Sequence, residues 1–313
     1  MEINPSNDSN WERTAIERLA QNALTEQRKS RQWGIVFKLL TFLYLFIVLF
    51  IFLGWLGRKD TAFSGAHTAL VELNGVIASD APANADDIVS ALQEAFKDTH
   101  TKGVILRINS PGGSPVQAGI INDEVRRQRG LHPDIPLYSV VEDICASGGY
   151  YVAVAADQIY VDKASLVGSI GVLMDGFGFT GTMQKLGVER RLLTAGENKG
   201  FLDPFSPTTP AHREYAKQML GEIHRQFIDV VKRGRGDRLK HTTTIFSGLI
   251  WTGERSIELG LADALGSVDY VAREVIKAEH IVDFTPKENI AQKLARKFGA
   301  SLGSSVLQGT GIR

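Results

Sequence analysis

The stretch LLTFLYLFIVLFIFLGWL, residues 39–56, constrains this chain more than any other, because its 18 residues carry no charge. As an α-helix it spans about 27 Å, close to the ~30 Å hydrocarbon core of a bilayer, and residues 34–38 lengthen it. No face of it is polar, which disfavours the buried helix of a soluble core. Trp33 and Trp55 stand where interfacial aromatics belong. A cleaved signal sequence competes, but the apolar run is too long and more than 30 residues precede it. The expectation is an uncleaved transmembrane anchor at 33–57, meeting lipid through residues 34–57. Arg28, Lys29 and Arg31 precede the span, Lys38 lies at its edge, and Arg58 and Lys59 follow. That excess places the N-terminus in the cytoplasm and residues 60–313 outside it.

Residues 1–32 mix charges with Trp11, Ile16, Leu19 and Leu24, and read as a cytoplasmic tail rather than an amphipathic helix. Residues 58–66 read as a linker. Beyond it, strands are expected at 68–75, 103–110 and 136–143, alternating with helices at 85–98, 116–128 and from about 147. DQIYVD (157–162), SIGVLM (169–174) and VERRLLTA (188–195) read as further short strands. Such alternation indicates an α/β domain with a largely parallel sheet, here over residues 67–280. Helices follow at 208–233, 253–260 and 267–278. VKRGRGDRLK (231–240) is a basic run holding an Arg-Gly-Asp tripeptide, a match too short to be specific, and reads as a solvated helix end. Within the C-terminal extension, 281–313, PKENIAQKLARKF (286–298) reads as an amphipathic helix. It packs on its own domain or meets another subunit or a membrane surface. The 35 Lys and Arg balance 35 Asp and Glu, so no net field points to nucleic acid. The single cysteine, Cys145, excludes a disulfide framework and a multi-cysteine metal site.

Two strand ends carry glycine-rich turns. INSPGGSP (108–115) follows the second strand, and ASGGYY (146–151) follows the third with Ser147 at its tip. Adjacent glycines let backbone N–H groups face a ligand without a shielding Cβ. In an open α/β sheet both turns should converge on one cleft beyond the strand ends. That arrangement suits acyl transfer, with Ser147 as nucleophile and the N–H groups of Gly113 and Gly148 as oxyanion donors. Phosphate cradling is the rival use, but neither turn matches a P-loop or dinucleotide fingerprint. An ordinary tight turn is the plain alternative for either alone.

The base is harder to find. His67, His100, His132, His212, His224, His241 and His280 look like scattered surface residues, and none lies between Ser147 and Pro210. A lysine can substitute when burial lowers its pKa from about 10.4 towards ~7–8. TAGENKGFLDPF (194–205) offers Lys199, with Phe201, Leu202 and Phe205 near enough to exclude water. A loop lysine is more often simply a surface lysine, and spacing does not decide.

Over roughly residues 66–275 the chain resembles the serine–lysine peptidases of the signal peptide peptidase A family, including its SohB-like short members. The stretches that carry the resemblance are INSPGGSP, ASGGYYVAVAAD, ASLVGSIGVL, GENKGFLDPF and WTGERSIELGLAD. It implies a ClpP/crotonase-like fold, Ser147 as nucleophile, Lys199 as general base and Ser169 as the residue orienting the lysine amine. It implies no metal or organic cofactor, and signal peptides or other unfolded, membrane-associated polypeptides as substrates. It further implies a homo-oligomer in a bacterial cytoplasmic membrane, whose serine and lysine could come from neighbouring subunits. A Ser-His-Asp version is disfavoured, because no histidine follows Ser147 by a few tens of residues. A crotonase-like acyl-CoA protein or a non-catalytic membrane scaffold leaves Ser147 and Lys199 without roles. Cys145, two positions before Ser147, reads as a small packing residue.

Overall fold

The computed structural model describes residues 8–56, 65–240 and 242–286. The chain divides into two compact units, residues 1–63 and 64–313. In the first, helix α1 runs over Asp8–Leu56. Its Glu26–Phe50 stretch is long and apolar enough to cross a membrane, and its most apolar window has no buried residue. Residues 8–32, expected as a tail, are helical. Ala, Leu, Glu, Gln and Arg are frequent there, and each is a strong helix former. The linker up to residue 64 and the amphipathic segment from residue 287 lie outside the described residues.

The second unit begins with β1 (His67–Asn74), α2 (Ala85–Lys97), β2 (Thr101–Ser110), α3 (Pro115–Leu131), β3 (Leu137–Ala146) and α4 (Gly148–Ala153). Next come β4 (Gln158–Val161), β5 (Leu166–Gly168), α5 (Thr180–Leu186) and α6 (Pro210–Arg235). The unit closes with α7 (Thr242–Ile245), β6 (Ile250–Thr252), α8 (Gly253–Glu258), β7 (Ala264–Leu265), α9 (Val268–Tyr270) and β8 (Ile281–Asp283). The sheet order is β6-β5-β3-β2-β1-β8, with β4 beside β3 and β7 beside β4. All pairings are parallel except β5 with β6. Because β8 pairs with β1, the domain runs past residue 280.

Strand pleating explains why both faces are covered. Val71, Leu73, Leu106 and Ile108 join one core with Ile88, Leu92 and Phe96 of α2 and Ile121 and Val125 of α3. Leu70, Ile105 and Val140, one residue out of phase, meet Val271 and Ala272 on the other face. Each large side chain so buried contributes roughly 1.5–3 kcal/mol. Asn84 starts α2 by accepting the Asp87 N–H at 2.9 Å, and Ser114 with Pro115 starts α3.

Two expected strands are absent. Residues 169–179 and 187–195 have no regular structure, and β5 lies instead at Leu166–Gly168. Leu173 and Leu193 are 80% and 95% exposed. Their apolar content mimics a strand, yet no partner strand meets them among the described residues. The solvated helix end is corrected as well, since Arg235 of the Arg-Gly-Asp tripeptide is only 2% exposed. Its Nη1 and Nη2 donate to the two Asp263 carboxylate oxygens at 2.7 and 2.9 Å, and its Nε donates to the Gly260 carbonyl at 2.8 Å. A carboxylate 28 positions downstream, which local composition does not reveal, draws this cation inward.

The same pair makes stability depend on pH. Burial alone would raise the Asp263 carboxyl, but the hydrogen bonds and charge of Arg235, the Ile159 N–H and Arg238 together hold it below the usual carboxylate range. With the folded value depressed, this stabilisation is complete above the ordinary pKa of ~3.9 and is lost as pH falls through the depressed value. Asp263→Ala, which strands a buried guanidinium, is expected to cost about 3–5 kcal/mol at pH 7. Urea unfolding reads this as a lower midpoint and a shallower decline in acid. An unchanged midpoint would refute the assignment.

Candidate active site

Ser147 fills the single position between β3 and α4, at φ 52° and ψ −122°. Its N–H donates to the Gly168 carbonyl and its C=O accepts the Tyr151 N–H, both at 2.9 Å. Its hydroxyl makes no capping hydrogen bond to α4. Both backbone groups are therefore satisfied, while Oγ has no hydrogen-bond partner among the described residues. A non-glycine residue at such a φ costs on the order of 1–3 kcal/mol, a strain held in place by the strand before it and the helix after it.

The parallel register pairs Ala146 with Gly168, so Ser147 and Ser169 leave neighbouring strands at the same level, at the ~4.8 Å strand spacing. Both leave at φ 52°. Ser169 donates its N–H to the Leu249 carbonyl and accepts the Gly171 N–H, each at 2.8 Å, which folds residues 169–171 into a γ-turn.

The first glycine turn lies against the second. Ile77 donates to the Gly112 carbonyl and accepts from the Ser114 N–H, both at 2.8 Å, forming a parallel bridge to Gly113. In such a bridge the flanking residues make the bonds, so the Gly113 N–H turns away from Ile77. Gly113 has φ 148°, and a Cβ there would meet the Ile77 carbonyl oxygen at 2.1 Å. Gly112 has φ 101°, and its Cβ would meet the Gly148 nitrogen and the Ser147 Cβ at 2.7 Å. Only glycine permits this approach. The Gly148 N–H opens α4, where no intrahelical carbonyl reaches it. Among the described residues these two N–H groups have no backbone partner, and both lie on turns packed against Ser147.

Ser147, Ser169, Gly113 and Gly148 line one cavity of about 490 Å³. Its remaining lining is Pro115, Tyr151, Gly171, Val172, Leu173, Ile223, Gln226, Phe227, Ser247 and Gly248. Sequence reasoning missed the α6 contribution, although Ile223 and Phe227 are four apart and so share one helical face. The Tyr151 and Phe227 rings pack at 5.2 Å. Burial, with the Asp123 charge acting the same way, pushes the Tyr151 phenol up, so it stays a neutral donor. A larger hollow of about 970 Å³, edged by Arg107, Glu142, Asp162 and Asp269, contains none of the expected catalytic residues.

Lys199 does not line the cavity within this single chain. It is exposed on the irregular stretch before α6, with no hydrogen-bond or ion-pair partner for its amine among the described residues. The aromatics expected to cover it pack elsewhere. Phe201 meets Tyr215 edge-on at 5.5 Å, and Phe205 stacks on Phe179 at 5.4 Å. Cys145 is fully buried, and desolvation pushes its thiol far above the ordinary value. That burial fits the packing role expected of it. His224, read as a surface residue, instead places its Nε2 3.1 Å from the Ile170 carbonyl oxygen.

Residues 130–281, which include Ser147, Ser169 and Lys199, match the model of peptidase family S49. Over just under half of its length the chain is similar to peptidase family S49. That match agrees with the signal peptide peptidase A resemblance, and the mostly parallel sheet flanked by helices agrees with the expected α/β class. A Na(+)/H(+) antiporter NhaA of Brucella melitensis is 46% identical over 177 residues, covering 56% of this chain and 24% of that protein. A provisionally named protease of Methanocaldococcus jannaschii is 33% identical, covering 64% of this chain and 65% of that one. A provisionally named signal peptide peptidase SppA of Enterococcus faecium is 28% identical, covering 72% and 69%. The chain thus spans about a quarter of the antiporter relative and about two thirds of the other two.

Proposed function

We propose that this chain is a membrane-anchored serine endopeptidase that degrades released signal peptides and other membrane-associated polypeptides. The observation that carries the reading is Ser147 held at positive φ, its hydroxyl without a partner among the described residues, lining one cavity with Gly113 and Gly148. In the reaction, Ser147 Oγ attacks a peptide carbonyl while a neutral Lys199 amine takes its proton. The Gly113 and Gly148 N–H groups stabilise the oxyanion, the lysine returns the proton to the leaving amine, and water hydrolyses the acyl-enzyme. Ser169 orients the amine. The apolar wall of Tyr151, Val172, Leu173, Ile223 and Phe227 suits the apolar side chains of a signal peptide.

Lys199 comes, in this reading, from a neighbouring copy in a homo-oligomer. Its exposure supports that, as do Leu173, Phe177, Leu186 and Leu193 on the same 172–209 stretch, all at least 72% exposed. A soluble surface seldom leaves so many large apolar groups uncovered. Helix α1 anchors the enzyme in a bacterial cytoplasmic membrane with the catalytic unit outside, as the charge bias across the span favours.

One experiment tests chemistry and topology together. A membrane-impermeant fluorophosphonate is expected to phosphonylate Ser147, with loss of fluoride, both in detergent-lysed membranes and in sealed spheroplasts. No labelling in the lysate removes the enzyme assignment. Labelling in the lysate but not in sealed cells reverses the topology alone.

A further inference from the structure

We infer that His224 is a positioning residue for the site, acting through the γ-turn that carries Ser169; this rests on the serine-peptidase reading above. Ile170, at the centre of that turn, has a fully buried side chain. Its carbonyl is turned out of the γ-turn towards α6, where His224 Nε2 stands 3.1 Å away. A carbonyl oxygen only accepts, so Nε2 carries the proton and donates.

Three bonds then hold three consecutive residues. The Ser169 N–H is anchored to Leu249, the Gly171 N–H closes the turn, and the Ile170 carbonyl is clamped by His224. The first two come from the strand end and the turn itself. Among the described residues the third alone reaches the turn from α6, the helix whose Ile223 and Phe227 form an apolar wall of the same cavity. His224 sets the distance between that wall and the two serines. It also fixes the point from which the 172–209 stretch, with Lys199, departs. Without it, Ile170 keeps its side chain buried, but its peptide plane is free to rotate, and Ser169 at φ 52° is next to it in the chain. A misplacement of about 1 Å near a reacting group costs on the order of 100-fold in rate.

The test uses the full chain in detergent and a fluorogenic apolar peptide, with kcat, KM and thermal midpoint measured for each variant. His224→Gln, which can still donate, is expected to keep kcat within about threefold of the parent with an overlapping pH profile. His224→Phe is expected to lower kcat roughly 10- to 100-fold with KM little changed. Ser169→Ala is expected to lose activity as well, and adding His224→Phe to it should cost nothing further, because both act through one turn. A glutamine variant as dead as the phenylalanine one, or fully additive losses, would overturn the positioning role. So would a phenylalanine variant as active as the parent. His224→Leu replaces the phenylalanine variant if that one fails to fold, and failure of both would make His224 a folding residue only. Ser147→Ala runs alongside: if it hydrolyses the peptide as well as the parent, the peptidase reading itself fails, independently of His224.

Discussion

Replacing Ser147 with alanine is expected to lower kcat for peptide hydrolysis by about 10⁴-fold or more, with KM within a few-fold of the parent. The nucleophile vanishes while the cavity walls and both oxyanion donors stay, so ground-state binding is preserved and only the covalent path is lost. The structure makes this a clean substitution. The Ser147 hydroxyl caps no backbone N–H of α4, so its removal breaks no capping bond. Alanine must adopt the same positive φ and bears a similar strain, so the thermal midpoint should move little. Initial rates on a fluorogenic peptide, beside a melting curve, check both halves. A variant that is folded and still active would show that Ser147 is not the nucleophile.

Lys199→Ala is expected to lower kcat by about 10²–10⁴-fold, the range of a lost general base. The sharper outcome comes from mixing. Chains bearing Ser147→Ala keep their lysine, and chains bearing Lys199→Ala keep their serine. If the two groups meet across a head-to-tail contact, random exchange of equal amounts rebuilds about a quarter of the sites. Activity should therefore rise from near zero as subunits exchange, to a plateau that depends on the ratio of the two chains. No recovery after exchange has been confirmed, by the mixing of two tags for instance, would put the base within one chain or on another residue.

Much of the catalytic half was legible because it is local. A glycine pair after an apolar strand marks a turn that L-residues with side chains cannot make, and Gly112 and Gly113 lie pressed against Ile77 and the Ser147 turn. The parallel sheet followed from strand and helix alternation for the same reason. What was not legible depends on tertiary contact. SIGVLM and VERRLLTA have the composition of strands, but a strand exists only where another offers it hydrogen bonds, and these residues lie outside the sheet. Arg235 reads as one more charge in a basic run until Asp263 is brought to it. His224 looks like a solvated helix residue until Ile170 arrives beneath it. Lys199 shows the limit most clearly. Motif order singles it out, whereas its surroundings in one chain would not.

The silence of Cys145 has a practical corollary. Sealed within the end of β3 and reluctant to ionise, the lone native thiol is shielded from maleimides and thiol-directed spin labels. The molecule is thus already a blank canvas for reporter chemistry. A cysteine introduced on the 172–209 stretch would carry the only reactive handle, and a fluorophore placed there could watch copies come together in real time.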